Sequence, residues 1–390
     1  MNKKTISLDN RIDYGIILPV FVLCLVGLVA QYVALSVNPI KQDVTAQMFK
    51  NVLWLAIGVV AIAVLMQFTS KLWWKLSVLF YGLGLVLMVL PLYFSDPRVV
   101  ALTGSKNWVY LGGLSFQPSE LMKIAYILIL AFIVTRHNLQ EEHTTKQDFI
   151  LIGKMVAVTI PIAVLLRFQH DFGTLLVFFA IFCGVFLMSG ISWKILLPSI
   201  GLAILLVVGV IYAVTTETGR EFLQGLGVKQ YQLLRIDSWQ NPFHDPTGNS
   251  YQQAQALTAI GSGGLVGKGF NVSEVEIPVR ESDMIFTVIA ENFGFIGSVF
   301  VIFMYFLLIY RMIRVCFDTN NEFYTYIATG IIMMILFHVF ENIGANIGLL
   351  PLTGIPLPFI SQGGSALLGN MIGIGIILSM RFQQEDYLTA

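Results

Sequence analysis

The stretch YGIILPVFVLCLVGLVAQYVALSV, residues 14–37, contains no charged residue. A helix of about 20 mostly apolar residues is needed to cross the hydrocarbon core of a bilayer, so this stretch predicts a membrane span. Lys3, Lys4 and Arg11 precede it, as basic residues do in a secretory signal peptide. The apolar run is too long for such a peptide, however, and lacks a small-residue cleavage site. We therefore interpret residues 14–37 as the first membrane span.

The rest of the chain has a similar composition. Of its 390 residues, 56% are hydrophobic and 12% are charged, and the mean hydropathy is +0.77. Soluble domains carry about 25% charged residues. The sequence therefore predicts an all-α polytopic integral membrane protein with about ten transmembrane helices. These spans are predicted at 14–37, 48–68, 73–94, 119–135, 149–166, 173–190, 193–215, 284–310, 323–350 and 358–380.

Charge and cysteine usage exclude several classes of protein. The formal net charge is zero and the basic residues form no runs, so nothing indicates a nucleic-acid partner. The three cysteines, Cys24, Cys183 and Cys316, have neither the spacing of a zinc site nor that of a disulfide framework. We expect them to be small apolar residues.

The distribution of Lys and Arg predicts the orientation, because cytoplasmic loops of membrane proteins are enriched in these residues. With the N-terminus inside, the short inner loops hold Lys71, Arg136, Lys146, Lys194, Arg311, Arg314 and Arg381. The short outer loops then hold only Lys41, Arg98, Lys106 and Arg167. We therefore expect cytoplasmic N- and C-termini and an even number of spans.

One outer segment is far longer than an ordinary connection. It spans residues 216–283, between the seventh and eighth predicted spans, and it is rich in aromatic residues and glycine without being low-complexity. Loops of this length tend to be functional or disordered. We expect a large ordered extracellular loop within a single membrane domain, residues 1–390.

Two carboxylates lie near the end of this loop. Asp283 stands where the loop enters the eighth span, flanked by Arg280 and Glu281. It fits a general base at the mouth of a membrane cavity, but a carboxylate there would equally fit a helix N-cap. Glu291 lies two turns further on, and an ionisable group inside a membrane is by default a functional candidate. The alternative for Glu291 is a buried structural ion pair.

Further candidates are found in other segments. Glu120 and Lys123 are i,i+3 neighbours that fit either a cavity pair or a structural ion pair. Arg167 and Asp171 flank the next outer turn, where a solvated surface pair is the simpler interpretation. Arg235 is a candidate phosphate-binding group, because guanidinium matches phosphate oxygens in a fork.

A glycine-rich segment and a row of polar residues complete the set of candidate patterns. The segment GSGGLVGKGF, residues 261–270, is glycine-rich but does not match the phosphate-binding P-loop pattern. His338, Glu341, Asn342 and Asn346 lie along one side of the ninth predicted span. They fit an internal polar seam or ordinary hydrogen bonding between helices.

Six segments together resemble one family. They occur in that family's order and cover nearly the whole chain: GSKNWVYLGGLSFQPSELMK (104–123), QHDFGT (169–174), YQLLRIDSWQNP (231–242), YQQAQALTAIGSGGLVGKG (251–269), VRESDMIFTVIAENFG (279–294) and GLLPLTGIPLPFISQGGSALL (348–368). The resemblance is to the SEDS family (shape, elongation, division and sporulation).

This resemblance implies a peptidoglycan glycosyltransferase that polymerises lipid II into undecaprenyl-pyrophosphate-linked glycan. It also implies a class B penicillin-binding protein as the transpeptidase partner. Asp283 matches the family's essential aspartate, and Glu120 and Lys123 match a polar pair in its cavity. Trp108 is the tryptophan of its first outer loop. The segment GIPLPFIS and the short C-terminal tail look more like the elongation member than the division member.

The implied reaction joins an α-linked donor to a 4-hydroxyl with inversion, so it needs one base and positive charge at the leaving pyrophosphate. We predict Asp283 as the base, with Arg280, Arg235 and Lys123 as leaving-group stabilisers. Glu120, Trp108 and Asp171 complete the predicted substrate-binding set, and Glu291 is the rival base. Mg²⁺ or Mn²⁺ would suit a pyrophosphate leaving group, but no carboxylate cluster identifies a site.

The chain departs from the family pattern at three positions. Asn107 replaces a frequent arginine, Ser282 a usual threonine and Gln362 a common tyrosine. Two other functions are compatible with the same polar residues: a flippase for the lipid-linked precursor, and a non-catalytic scaffold of the wall-synthesis complex. A flippase needs polar groups along a path from both sides, whereas these candidates cluster towards the outer end. That clustering favours the enzyme.

Overall fold

The computed structural model describes residues 11–37, 43–97, 99–100, 104–111, 114–225, 230–248, 250–319 and 321–383. Within these residues the chain forms α-helices and one short hairpin. The hairpin pairs β1 (Val109–Leu111) with β2 (Leu114–Phe116), with Val109 opposite Phe116. The helices are α1 (Tyr14–Ser36), α2 (Val44–Leu65), α3 (Ser70–Phe94), α4 (Pro118–Gln140), α5 (Thr145–Gln169), α6 (Phe172–Met188), α7 (Trp193–Thr215), α8 (Glu217–Gly225), α9 (Gln230–Gln240), α10 (Tyr251–Ser262), α11 (Ile285–Asp318), α12 (Glu322–Asn346) and α13 (Gly364–Phe382).

The predicted polytopic fold is confirmed. Nine helices in the described part of the chain are long and apolar enough to cross a membrane: α1 to α5, α7 and α11 to α13. The short apolar helix α6 has 17 residues, or about 26 Å at 1.5 Å per residue. These ten helices correspond one to one with the ten predicted spans.

Several predicted bounds were wrong at the helix ends. Helix α4 continues to Gln140 and α11 to Asp318, because both helices run past the apolar stretch on which the prediction rested. The last span begins at Gly364, not at residue 358. The segment before it, 351–363, stays irregular: it contains three prolines and places Gly354 and Phe359 at positive φ.

Helices α4 and α12 lie at the centre of the bundle. Helix α4 packs against α3, α12 and α13, and α12 packs against α6, α4 and α11. By contrast, α7 exposes most of its side chains and packs mainly against α8. Asp13 at the start of α1 forms an ion pair with Arg381 at the end of α13. The N-terminal end of the first span and the C-terminal end of the last span therefore lie at the same end of the bundle, as an even number of spans requires.

Helix α11 is broken near its start, and the glycine-rich segment 263–269 fills the break. Gly294 has φ 64° and ψ −158°, which is outside the helical region. Backbone N–H groups of residues 268 and 269 donate to the carbonyls of residues 291 and 292, and those of 295 and 296 donate to the carbonyls of 264 and 265. A Cβ on Gly294 would lie 2.3 Å from the nitrogen of Gly267. The two backbones approach closely enough to require glycine at this position.

Candidate active site

Asp283 lies one residue before the N-cap of α11, at the bundle end that carries residues 216–283. Its backbone carbonyl accepts hydrogen bonds from the side-chain amides of Asn342 (2.8 Å) and Asn346 (2.9 Å) of α12. The N-cap position belongs to Met284, which makes no side-chain capping bond. The interpretation of Asp283 as the N-cap was therefore wrong, and its backbone is positioned by α12 instead.

The irregular segment 351–363 forms a second support for the residues around Asp283. The hydroxyl of Ser361 donates to the carbonyl of Ser282 (2.6 Å), and the N–H of Gln362 donates to the carbonyl of Glu281 (2.8 Å). A Cβ on Gly354 would lie 3.8 Å from Oδ2 of Asp283. The segment thus lies directly against the predicted catalytic carboxylate.

Glu341 of α12 is a second acidic group near Asp283. It is buried, its Oε1 accepts a hydrogen bond from the hydroxyl of Thr353, and its carboxylate interacts electrostatically with that of Asp283. Helix α12 thus interacts with Asp283 in two ways. Asn342 and Asn346 donate to its backbone carbonyl, and the carboxylate of Glu341 interacts with its charge. Asn342 and Asn346 thus bond to the loop, whereas His338 of the same side bonds to Lys123 of α4, so both interpretations of this side of α12 apply.

Glu120 and Lys123 form the predicted pair on the first turns of α4. Lys123 Nζ lies 2.8 Å from Glu120 Oε2, and both side chains are almost fully buried. Lys123 Nζ also lies 3.0 Å from Nε2 of His338 on α12. The i,i+3 spacing predicted the ion pair, but it gave no indication of His338, which is 215 residues away in the sequence.

Glu291 is fully buried and surrounded by donors from the loop that precedes α11. Its Oε1 accepts from Lys268 Nζ (3.1 Å) and from the backbone N–H of Glu274 (3.0 Å). Its Oε2 accepts from the Ser273 hydroxyl (3.2 Å) and from Nη2 of Arg280. These contacts confirm the alternative that Glu291 is a buried pairing partner. The sequence did not indicate Lys268, because only the folding of the glycine-rich segment onto α11 places it here.

The charges in this network stabilise one another. Burial lowers the pKa of Lys268, but hydrogen bonds and charge from Glu274 and Glu291 outweigh it, so the pKa lies above its ordinary value. Arg280 is buried and donates through Nη1 to Ser273, while its Nε has no hydrogen-bond partner among the described residues. Arg280 therefore links the loop to α11 three residues before Asp283.

Asp171 connects two outer segments of the sequence. Its Oδ1 caps α6 by accepting from the N–H of Thr174 (3.1 Å). Its Oδ2 accepts from the side-chain amides of Asn107 (2.7 Å) and Gln117 (3.2 Å). The adjacent Trp108 is half-buried and directly precedes β1. Asp171 therefore fixes the segment that carries Trp108 and leads into α4.

This contact involves one of the three departures from the family pattern. Asn107 uses its side chain to reach Asp171, so the residue type matters there. Ser282 and Gln362 contribute backbone groups to the bonds described above, and any residue could supply these. Asn107 is the departure with a direct structural consequence.

Two further expectations concern phosphate and metal binding. The side chain of Arg235, on α9, lies outside the described part of the structure. Among the described residues, no group of three or more His, Cys, Asp or Glu side chains is placed to hold a metal ion. The carboxylates of Asp283 and Glu341 are a pair, and Mg²⁺ is often bound by one or two carboxylates together with substrate phosphates.

Comparisons with known proteins agree on one family. A family model described as cell cycle protein (FtsW, RodA, SpoVE) matches residues 14–386. The probable peptidoglycan glycosyltransferase FtsW of Hydrogenovibrio crunogenus is 31% identical over 386 residues, covering 96% of this chain and 92% of that protein. The peptidoglycan glycosyltransferase MrdB of Escherichia coli K12 is 31% identical over 388 residues, covering 98% of this chain and 97% of that protein.

A solved structure has a similar fold. That structure concerns the coordination of polymerization and crosslinking by a peptidoglycan synthase complex. It matches with a TM-score of 0.76 and 26% identity, and the match covers 96% of this chain and 98% of that chain. This polytopic chain belongs to the FtsW/RodA/SpoVE family of cell cycle proteins, the SEDS family.

Proposed function

We propose that this protein is a peptidoglycan glycosyltransferase that polymerises lipid II, with Asp283 as general base. The observation that carries this proposal is the position of Asp283. Its backbone is clamped by Asn342 and Asn346 at the loop end of the bundle. A carboxylate on a backbone positioned at this end can meet sugar headgroups while their lipid tails remain in the bilayer. The names of the two relatives, both peptidoglycan glycosyltransferases, support the reaction class.

The reaction is a single inverting displacement. The oxygen of the acceptor 4-hydroxyl forms a bond to the anomeric carbon of the donor as the bond from that carbon to the lipid pyrophosphate breaks. The pyrophosphate leaves with the bonding electron pair, and Asp283 takes the hydroxyl proton. General-base assistance of this kind typically contributes about 10²–10⁴-fold to the rate.

The leaving pyrophosphate requires positive charge. Lys123, Arg280 and Arg235 are the proposed sources. Lys123 presents an ammonium that two described partners position, and Arg280 keeps its Nε without a partner in the described structure. Mg²⁺ or Mn²⁺ would supply further charge if the reaction uses a divalent cation.

The remaining substrate-binding proposals are Glu120, Trp108 and Asp171. Glu120 orients the Lys123 ammonium, and Asp171 fixes the segment that carries Trp108. Trp108, half-buried beside the hairpin, offers an aromatic face to a sugar ring. These three residues would shape the cavity, whereas Asp283 would perform the proton transfer.

For the cellular role, we propose elongation and cell shape with a class B penicillin-binding protein as partner. The support is the segment GIPLPFIS (354–361) and the synthase complex to which the fold is similar. Sequence identity does not decide between elongation and division, because the chain is 31% identical to FtsW and 31% identical to MrdB. Helix α11 exposes Phe295, Ile296, Val299, Phe300, Phe303 and Phe306, and this face is the proposed docking site for the partner's membrane helix.

A detergent-based assay tests the function directly. Purified protein, with or without the partner, is mixed with lipid II and Mn²⁺, and glycan chains are separated by electrophoresis. We expect chains, because polymerisation needs no second compartment. A flippase or a scaffold would leave lipid II unchanged in detergent, and that result with correctly folded protein would contradict the proposal.

A further inference from the structure

His338 is a buried histidine at the centre of the bundle. Its side chain is part of α12, and its ring lies between that helix and α4. Nδ1 lies 2.6 Å from the backbone carbonyl oxygen of Met334, and Nε2 lies 3.0 Å from Nζ of Lys123. Both distances are within hydrogen-bonding range.

These two contacts determine the tautomer of His338. A carbonyl oxygen only accepts hydrogen bonds, so Nδ1 must carry the hydrogen that it donates to Met334. The ammonium of Lys123 only donates, so Nε2 must offer its lone pair. The ring is therefore a neutral imidazole whose acceptor atom faces the lysine.

His338 and Glu120 together set the direction of the Lys123 ammonium. Lys123 donates one hydrogen to Glu120 Oε2 and another to His338 Nε2. A lysine side chain otherwise has many rotamers, and fixing them costs conformational entropy. Among the described residues these two partners engage two of the three N–H bonds of the ammonium, so one N–H bond is left for a substrate oxygen.

We propose that His338 is a positioning residue that acts on the substrate pyrophosphate through Lys123. This inference rests on the proposed function, in which Lys123 stabilises that group. The essential feature is a hydrogen-bond acceptor at the position of Nε2, held by α12. The aromatic ring itself is not required.

Three substitutions separate the acceptor from the shape of the side chain. Glutamine places its amide oxygen near the position of Nε2, asparagine reaches only as far as Nδ1, and leucine has no acceptor. The readout is the affinity for lipid II, measured on an Asp283→Asn background so that turnover does not interfere. Thr329→Val is the matched control, because the Thr329 hydroxyl donates to the carbonyl of Thr325 within its own helix.

We expect His338→Gln to retain affinity within about threefold, because it keeps the acceptor. His338→Asn and His338→Leu should weaken binding about tenfold or more, as is typical for loss of a hydrogen bond to a charged group. A merely structural role predicts that affinity follows thermal stability and that leucine is tolerated best. Parental affinity of the leucine variant, or equal losses in all three variants, would overturn the proposal. If the leucine variant does not fold, the comparison of asparagine with glutamine decides.

A double-mutant cycle tests whether His338 acts through Lys123. If it does, His338→Asn has no further effect on lipid II affinity once Lys123 is replaced by methionine. Independent, multiplying losses would contradict the inference. Failure of this inference can be distinguished from failure of the proposed function. If Asp283→Asn still polymerises lipid II, the assignment of Asp283 as the base is wrong. If Lys123→Met binds lipid II with parental affinity, the assignment of Lys123 to the pyrophosphate is wrong.

Discussion

Replacing Glu291 by glutamine changes a fully buried carboxylate into an amide of almost the same size. Two donors face each carboxylate oxygen: Lys268 and a backbone N–H at Oε1, and Ser273 and Arg280 at Oε2. An amide has only one oxygen, so its NH₂ group must face one of these donor pairs. The substitution therefore also leaves buried positive charge without its counter-charge.

The expected cost follows from this burial. Breaking a buried ion pair by removing one partner costs about 3–5 kcal/mol. Because all four donors come from residues 268–280, the cost should appear as local opening of that loop. It corresponds to an increase of about 100-fold to several thousand-fold in the opening equilibrium.

Hydrogen–deuterium exchange of peptides from residues 263–283 measures this opening. Glu274→Gln is the matched control, since it removes an ion pair with Lys268 in which the Glu274 side chain is 70% exposed. Surface pairs contribute about 0–1 kcal/mol, so the control should change exchange about fivefold at most. Glu291→Gln should also lose polymerase activity, because the loop leads directly to Asp283. Exchange in Glu291→Gln that matches the control would refute the assigned role of Glu291.

Three other variants test separate parts of the account. Asp171→Ala should lower the free energy of unfolding by about 1–2 kcal/mol through loss of the α6 cap, and it should release the segment that carries Trp108. Thermal unfolding measures the first effect and tryptophan fluorescence the second. Unchanged values in both measurements would contradict the prediction. The exchange Glu120→Lys with Lys123→Glu should give a protein that folds but is inactive in the lipid II assay. An active protein would show that the two residues form only a structural ion pair. In a background without the native cysteines, Thr247→Cys should react with an impermeant maleimide in intact cells, because we predict that its loop is extracellular. Labelling only after permeabilisation would show that the predicted topology is wrong.

The sequence predicted features that depend on local pattern. Apolar stretches predicted the nine described helices that are long enough to cross a membrane, and also the shorter apolar helix α6, because the bilayer imposes a minimum length on each span. The spacing of Glu120 and Lys123 predicted their contact, because i,i+3 side chains are neighbours on one helix face. The helix ends were less predictable, since α11 extends past its apolar stretch to Asp318.

Features that depend on tertiary contacts could not be read from the sequence. Lys268 reaches Glu291 because the glycine-rich segment packs against the break in α11. The contact of His338 with Lys123 joins two helices that are distant in the sequence. Asp283 resembled an N-cap by its position, but Asn342 and Asn346 determine how its backbone is placed.

The rate of lipid II polymerisation by Asp283→Asn tests the central claim most directly. The substitution keeps the size of the side chain and the backbone carbonyl to which Asn342 and Asn346 donate, and it removes only the base. We predict a protein that folds, binds lipid II and associates with its partner, while polymerisation falls by about 10²–10⁴-fold. Polymerisation at the parental rate would contradict the assignment of Asp283 as the general base.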